Sequence, residues 1–214
     1  MKTIAVIPAY NEEKTIADVI KNLKKYVDEI IVVDDASSDK TYEIAKLNST
    51  KVVKHNKNMG YDKTIDDGFK EAVKRNASII ITFDADGQHV TEDIPKILDP
   101  IIKKEADVVV GIRPYKQRFS EKKFSRYTKN KIGVSDPLCG VKAYSTKAYS
   151  KIGYFDSLNS IGTELLFNYH KHGFKIKEVK ISINKRDGKS RFGNAIQSNL
   201  KILKAFHRIK SKFR

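Results

Sequence analysis

Two aspartates one residue apart, Asp84 and Asp86, directly follow the apolar, β-prone run SIIITF (78–83). Like charges at this spacing repel each other, and a bound cation relieves that repulsion. Carboxylate oxygens are preferred ligands of Mg²⁺ and Mn²⁺, which keep their other positions for water and substrate phosphates. The pattern therefore predicts a divalent metal site for a diphosphate, in which Gln88 adds an amide oxygen or orients a water molecule.

The elements that must position these aspartates alternate along the first half of the chain. Apolar strands are predicted at 3–7, 29–34, 51–54, 78–83 and 107–112, and helices at 13–26, 39–47, 60–75 and 92–103. Near-continuous apolar strands between helices are typical of a mostly parallel sheet that is covered on both faces. We therefore predict an α/β fold, with an alternating edge strand at 175–183.

Acidic residues follow several of the predicted strands. In an open parallel sheet, ligands bind beyond the carboxyl ends of the strands. The segments at these ends are PAYNEE (8–13), DDASSD (34–39), DADGQH (84–89) and IRP (112–114). They bring five acidic residues to one rim of the sheet: Glu12, Asp34, Asp35, Asp84 and Asp86. A second interpretation, in which Asp34 and Asp35 simply cap the next helix, stays open.

The charge of the chain points to an anionic partner. The 214 residues include 42 Lys and Arg against 26 Asp and Glu, which gives a net charge of +16. Such an excess favours nucleic acid, a phosphorylated substrate or a membrane surface. We expect no nucleic-acid partner, because no usual recognition motif is present and an acidic rim would repel phosphates. The single cysteine, Cys139, excludes an internal disulfide.

The sequence predicts a cytoplasmic protein that is peripheral at the cytoplasmic face of a membrane. No apolar stretch approaches the roughly 20 residues of a spanning helix, and the first apolar run is too short for a signal peptide. Residues 193–214 form a basic amphipathic helical pattern, which is typical of a helix lying in a membrane interface. Packing of this helix on the core is the alternative, and both interpretations stay open.

Six segments occur in an order that resembles family 2 glycosyltransferases: VIPAYNEEKTI (6–16), IIVVDDASSD (30–39), NMGYDKTIDDGF (58–69), DADGQH (84–89), DPLCGVKAY (136–144) and KRDGKSR (185–191). The branch of dolichol-phosphate mannose synthases and related polyprenyl-phosphate glycosyltransferases is the most similar. The resemblance implies a GT-A fold over residues 1–192, with a nucleotide-sugar half (1–112) and an acceptor half (113–192), followed by the helix at 193–214. It also implies Mg²⁺ or Mn²⁺ and inverting transfer of a hexose, mannose or glucose, from a GDP- or UDP-sugar to a polyprenyl or dolichyl phosphate.

The resemblance also implies roles for individual residues. Nucleotide-sugar binding falls on Pro8, Ala9, Tyr10, Asn11, Glu12, Val33, Asp35, Asp84, Ala85 and Asp86, and metal binding on Asp84, Asp86 and Gln88. The acceptor phosphate is expected at Arg113, Lys185 and Arg191, and the catalytic set is Asp86, Arg113 and Glu164. Lys185 and Arg191 exchange the basic types of the family pattern, which changes hydrogen-bond geometry although the charge is kept.

The nature of the acceptor leaves two mechanisms open. A lipid phosphate is already ionised and attacks without a strong base, whereas a hydroxyl acceptor requires a general base. Glu164 is the candidate base, although a purely structural Glu164 near a helix N-terminus fits the sequence equally well. A relative that binds a nucleotide sugar without turnover also stays open. A sugar nucleotidyltransferase is disfavoured, because the loop PAYNEE contains neither glycine nor arginine.

Overall fold

A computed structural model describes residues 1–115, 118–184 and 195–214. The first half contains β1 (Thr3–Ala9), α1 (Ile16–Leu23), β2 (Glu29–Asp34), α2 (Thr41–Asn48), β3 (Lys51–Lys54), α3 (Tyr61–Lys74), β4 (Ile79–Thr82), α4 (Ile94–Ile102) and β5 (Val108–Ile112). The second half contains α5 (Phe119–Ile132), β6 (Lys142–Ser145), α6 (Thr146–Ile152), α7 (Thr163–Lys171), β7 (Ile176–Lys180) and α8 (Ala195–Lys212).

The strands form one seven-stranded sheet in the order β3-β2-β1-β4-β6-β5-β7. All neighbouring pairs are parallel except those of β6, which runs antiparallel to both β4 and β5. The predicted mostly parallel sheet is confirmed, and so is the edge position of β7. Strand β6 was not predicted, because its four residues, KAYS, carry no apolar run.

Buried side chains cover both faces of the sheet. Along β1, Ile4 and Val6 belong to one core cluster, and Ala5 and Ile7 to another on the opposite face. This alternation follows from the period of two in a strand. Burial of each Ile or Val side chain among them stabilises the fold by about 1.5–3 kcal/mol. Helix α3 approaches β1 so closely that a Cβ atom on Gly68 would lie 2.3 Å from Cγ1 of Val6, so this position requires glycine.

Helix α8 packs on the core along one side. Ile202, Ala205 and Ile209 are buried there, and Asn199 Oδ1 accepts hydrogen bonds from the backbone and side chain of Ser120 at the start of α5. The core-packing interpretation of this segment therefore holds for these residues. Within the ranges that the structure describes, no helix is both long and apolar enough to cross a bilayer.

Candidate active site

A cleft of about 600 Å³ opens at the carboxyl ends of β1, β2 and β4. Parallel β1 lies between β2 and β4, so the segments that follow the three strands meet at one edge of the sheet. Among the predicted donor-binding residues, those that line the cleft are Pro8, Ala9, Tyr10, Glu12, Asp35, Asp84, Ala85 and Asp86. The sheet edge that the sequence predicts for ligand binding therefore carries a cavity large enough for a small molecule.

Two predicted donor-binding residues do not line this cleft. Val33 is fully buried in the core between β2 and α3, because a residue inside a strand covered on both faces has no exposed side. Asn11 has a positive φ of 55°, and its Oδ1 accepts hydrogen bonds from the backbone and hydroxyl of Ser38. Neither residue lines the cleft, so their direct contact with a nucleotide stays a prediction.

Asp35 connects three segments around the cleft. Its carboxylate accepts hydrogen bonds from the backbone N–H groups of Met59 (2.7 Å) and Gly60 (2.9 Å), and Nδ1 of His55 lies 2.8 Å from Oδ1. Helix α2 begins only at Thr41, and its N-cap residue is Lys40, whose side chain makes no capping hydrogen bond. The interpretation of Asp34 and Asp35 as caps of this helix is therefore wrong.

Asp84 is held in an ionised form by its neighbours. The hydroxyl of Tyr61 donates to Oδ1 at 3.1 Å, and Nε2 of His89 lies 3.1 Å from Oδ2. Burial raises the pKa of Asp84, but the hydrogen bonds and charge of His89, the Tyr61 hydrogen bond and the charge of Lys142 together bring the pKa below its ordinary value. Partners that orient a carboxylate in this way are common around metal ligands.

The residues around Asp84 and Asp86 fit a divalent cation that shares its coordination with a ligand. The described part of the chain holds no group of three or more His, Cys, Asp or Glu side chains arranged for a metal. Two carboxylates with free space in front of them suit Mg²⁺ or Mn²⁺, which complete their shells with phosphate and water oxygens. The side chain of Gln88 is not among the cleft-lining groups; its backbone N–H donates to Asp86 Oδ1 at 3.1 Å.

Gly140 leaves room for the Asp84 carboxylate. A Cβ atom at position 140 would lie 1.9 Å from Asp84 Oδ2, so a larger residue requires Asp84 to move. We expect Gly140→Ala to weaken metal-dependent nucleotide binding at least about tenfold, because a ligand displaced by about 1 Å loses its geometry. Calorimetric titration of Gly140→Ala, Asp84→Asn and the double variant checks this. The two losses should not add; additive losses would show that Gly140 does not act through Asp84.

Lys142 is a buried cation beneath the cleft. Its Nζ donates to the carbonyl oxygens of Cys139 (2.7 Å) and Ile161 (2.9 Å), and the side chain is 1% exposed. Burial lowers the pKa of Lys142, and nearby groups that include Asp62 and Asp84 oppose this effect. Lys142 thereby connects two segments that line the cleft.

Arg113 does not line the cleft. Its guanidinium donates from Nε and Nη2 to both oxygens of Asp136, at 2.9 and 2.8 Å, and from Nη2 to Glu121 at 3.3 Å. Asp136 and Glu121 are 0% and 2% exposed, so the charge of Arg113 is compensated inside the protein. The predicted catalytic and phosphate-binding roles of Arg113 are not supported by this geometry. Lys185 and Arg191, the other predicted phosphate ligands, lie outside the described residues.

Glu164 is likewise engaged away from the cleft. Its fully buried carboxylate accepts hydrogen bonds from Ser157, from the Tyr154 hydroxyl at 3.0 Å and from Nζ of Lys212 at 2.5 Å. Burial raises the pKa of Glu164, and the bonds from Lys212, Ser157 and Tyr154 outweigh that effect and lower it. These contacts favour the structural interpretation of Glu164 over the role of a general base, since the carboxylate is paired with Lys212 of α8.

Eight residues that line the cleft had no assigned role: Asn58, Gly60, Tyr61, Thr64, Leu138, Gly140, Ile161 and Lys201. The segments 58–69 and 136–144 were singled out in the sequence as motifs, and they supply six of these eight. No local sequence pattern indicates that Ile161 and Lys201 line the cleft. Their positions depend on how the segment before α7 and helix α8 pack.

Asp62, beside the cleft, is buried and accepts a hydrogen bond from the Gly162 backbone N–H at 3.2 Å. Burial, followed by the charge of Asp156, raises the pKa of Asp62 to about 8. The folded protein therefore binds this proton more tightly than the unfolded chain, so the contribution of Asp62 to stability is lost as pH rises from about 4 through 8.

We expect Asp62→Asn to raise the unfolding midpoint by about 5 °C or more at pH 9 and by little at pH 4, near the ordinary pKa of an aspartate. A neutral amide removes the cost of burying a charge, and 1 kcal/mol corresponds to about 2–4 °C in a domain of this size. Thermal unfolding at both pH values measures the effect. Asp18→Asn, at an exposed position of α1, is the matched control; an equal gain at pH 4 and pH 9 would contradict the assignment.

Residues 4–174 match the family model described as glycosyl transferase family 2. The chain belongs to glycosyltransferase family 2. It is therefore a glycosyltransferase, and the resemblance carried by the six segments is confirmed.

This family 2 enzyme is similar in sequence to two named glycosyltransferases. It is 40% identical over 126 residues to a UDP-N-acetylglucosamine–dolichyl-phosphate N-acetylglucosaminyltransferase of Methanococcus voltae, an alignment that covers 50% of each chain. It is 29% identical over 203 residues to a dolichol-phosphate mannosyltransferase of Pyrococcus furiosus, covering 85% of this chain and 55% of that one. The chain thus spans about half of each of these relatives.

A solved structure confirms the GT-A fold. Glucosyl-3-phosphoglycerate synthase from Mycobacterium tuberculosis, crystallised with Mn²⁺ and UDP-glucose, superposes with a TM-score of 0.75 at 19% identity. The superposition covers 97% of this chain and 78% of the other. The shared architecture includes the mostly parallel sheet of this family 2 glycosyltransferase.

Proposed function

We propose that this glycosyltransferase uses a divalent metal to transfer a hexose, with inversion, from a UDP- or GDP-sugar to a polyprenyl or dolichyl phosphate. The observation that carries the proposal is the cleft in which Asp84 and Asp86 face the segments after β1 and β2. The names of the M. voltae and P. furiosus relatives support a lipid phosphate as the acceptor. The Mn²⁺ and UDP-glucose of the fold neighbour support a metal and a nucleotide sugar as partners.

The donor is expected to extend across the cleft. Pro8, Ala9, Tyr10 and Asp35 lie at the β1 and β2 side, which suits the nucleoside, and Asp84 and Asp86 lie at the β4 side, which suits the diphosphate. A bound Mg²⁺ or Mn²⁺ would supply charge neutralisation of the departing diphosphate. The protein holds the Asp84 carboxylate in place through Tyr61 and His89 and the Asp86 carboxylate through the Gln88 backbone N–H, so little rearrangement is needed during the reaction.

The acceptor phosphate is proposed to attack without a general base. A phosphate monoester has its second pKa near 6, so its oxygens are ionised at neutral pH. One acceptor oxygen forms a bond to the anomeric carbon as the bond from that carbon to the diphosphate oxygen breaks, and no proton is transferred. The engagement of Glu164 with Lys212 and Ser157 agrees with a reaction that requires no carboxylate base.

We also propose that the enzyme is peripheral at the cytoplasmic face of a membrane. Phe119 is 76% exposed, Ile196 72% and Leu200 53%, and the Ser120–Asn199 contact places the starts of α5 and α8 side by side. Apolar side chains among lysines suit an anionic membrane surface. Flotation with anionic vesicles tests this: Leu200→Ser together with Phe119→Ser should reduce the bound fraction, and unchanged binding would contradict it.

The transfer assay offers UDP-N-acetylglucosamine, UDP-glucose and GDP-mannose, each with Mn²⁺, to the protein with a short polyprenyl phosphate, with the matching polyprenol, or with no acceptor. The expected result is a glycosyl-phosphoryl lipid from one donor, formed only with the lipid phosphate and only with metal. Transfer to the polyprenol or a glycan hydroxyl would overturn the acceptor assignment. Binding of a nucleotide sugar with no product would indicate a binding protein instead of an enzyme of this specificity.

A further inference from the structure

A second cavity, of about 360 Å³, adjoins the donor cleft. It lies between α8 on one side and the segment Asn159–Ile161 on the other. The two cavities share five lining residues: Gly60, Tyr61, Leu138, Ile161 and Lys201. A ligand in the second cavity would therefore lie next to the end of a ligand in the donor cleft.

The α8 side of this cavity is basic. Lys201, Lys204 and Arg208 line it, and their spacing of three and four residues places them on one face of the helix. Nη1 of Arg208 donates to the carbonyl oxygen of Leu158 at 3.1 Å. This hydrogen bond holds the guanidinium at the cavity.

The opposite walls contribute apolar side chains and one acid. Leu138 and Ile161 are apolar lining residues of these walls, and Ile202 adds an apolar side chain from α8. Asp62 is the acid among the lining residues that the structure describes, and the pKa of about 8 leaves it protonated at neutral pH. Among the described lining residues, Lys204 and Arg208 therefore face no ionised carboxylate, so the cavity favours an anion that carries an apolar substituent.

We propose that this second cavity binds the phosphate monoester of the acceptor, with Lys204 and Arg208 as phosphate ligands and Lys201 between the acceptor and donor phosphates. This inference rests on the proposed function and names the residues that serve its acceptor. Two phosphorylated substrates repel each other, and a cation between them offsets that repulsion. Arg113 lines neither cavity, and its guanidinium is already paired with Asp136 and Glu121.

The exposed start of α8 indicates where the apolar part of the acceptor lies. Leu200 directly precedes Lys201 in the sequence, and both Leu200 and Ile196 expose more than half of their surface. A polyprenyl chain that leaves the cavity along this side would cover both side chains. A free phosphate or a sugar phosphate has no apolar chain to contact them, so we assign the cavity to a lipid phosphate.

The test measures binding of farnesyl phosphate, inorganic phosphate and glycerol phosphate by calorimetry, without donor. We expect Lys204→Gln with Arg208→Gln to weaken farnesyl phosphate binding at least about tenfold and to leave Mn²⁺-dependent nucleotide binding unchanged. Lys210→Gln with Arg214→Gln is the matched control, since it removes the same charges from exposed positions that line neither cavity. The control should change farnesyl phosphate binding less than about twofold. The single variant Lys204→Gln is measured as well, because Lys204 is exposed and its replacement should not disturb folding.

The outcomes separate this inference from the proposed function. Unchanged farnesyl phosphate binding by the Lys204/Arg208 variant would overturn the inference alone. Equal loss in the control would also overturn it, because general charge would then explain the effect. Equally tight binding of inorganic phosphate would overturn the assignment to a lipid phosphate. Failure of the wild-type protein to bind any nucleotide sugar would overturn the proposed function instead.

Discussion

Replacement of Asp86 by Asn is expected to lower the rate of sugar transfer by about 100- to 1000-fold, the range seen when one preorganised electrostatic contact is removed from an active site. The amide keeps the shape of the side chain and can still accept the hydrogen bond from the Gln88 N–H. It loses the negative charge that a divalent cation requires. Initial rates at saturating donor and Mn²⁺ measure the effect on turnover.

A matched substitution on the surface separates this effect from a general loss of acidic charge. Asp99, in α4, has a side chain that is 51% exposed and pairs with Lys103. Asp99→Asn should retain the wild-type rate within about twofold. If Asp86→Asn kept more than about a tenth of the wild-type rate, the proposed role of the Asp84-Ala85-Asp86 segment would be wrong.

Replacement of Arg113 by Met is expected to lower the free energy of unfolding by about 3–5 kcal/mol, because it leaves the buried Asp136 carboxylate without its partner. Asp136 is 0% exposed and receives three hydrogen bonds from Arg113, one from the backbone and two from the guanidinium. Denaturant unfolding measures the loss. Under the structural interpretation, the KM for the lipid acceptor changes little in the protein that remains folded.

A second substitution makes this prediction specific. Asp136→Leu in the Arg113→Met background should recover part of the lost stability, because no uncompensated carboxylate would then be buried. Glu121 keeps its ion pair with Arg118 at 2.7 Å in that variant. The opposite result, an unchanged free energy of unfolding with an acceptor KM raised at least about tenfold, would restore the phosphate-binding role that the sequence predicted for Arg113.

Strand and rim positions were predictable because they depend on local pattern. Apolar runs such as Ile79–Thr82 become strands buried on both faces, and the residues that follow parallel strands must meet at one edge. The cleft-lining positions of Tyr10, Asp35 and Asp86 follow from these two rules. Strand β6 escaped prediction because a short strand containing a buried lysine, Lys142, looks like a loop in the sequence.

Charge partners and close approaches were not predictable, because they join residues that are distant in the sequence. Arg113 donates to Asp136, which lies 23 positions away in the sequence, and Lys212 donates to Glu164, which lies 48 positions away. An arginine that follows a strand looks the same in the sequence whether it faces a ligand or a buried carboxylate. The approach of Gly140 to Asp84 depends on the antiparallel pairing of β6 with β4, which no local pattern indicated.

The central claim is that the cleft binds a nucleotide diphosphate through a divalent cation held by Asp84 and Asp86. The most direct test is calorimetric titration of UDP and GDP into the wild-type protein and the Asp84→Asn/Asp86→Asn variant, with Mn²⁺ and with EDTA. We expect one nucleotide to bind the wild-type protein at least about tenfold more tightly with Mn²⁺, and the variant to lose that gain. Equal affinity with and without Mn²⁺, or a gain that survives in the variant, would contradict the claim.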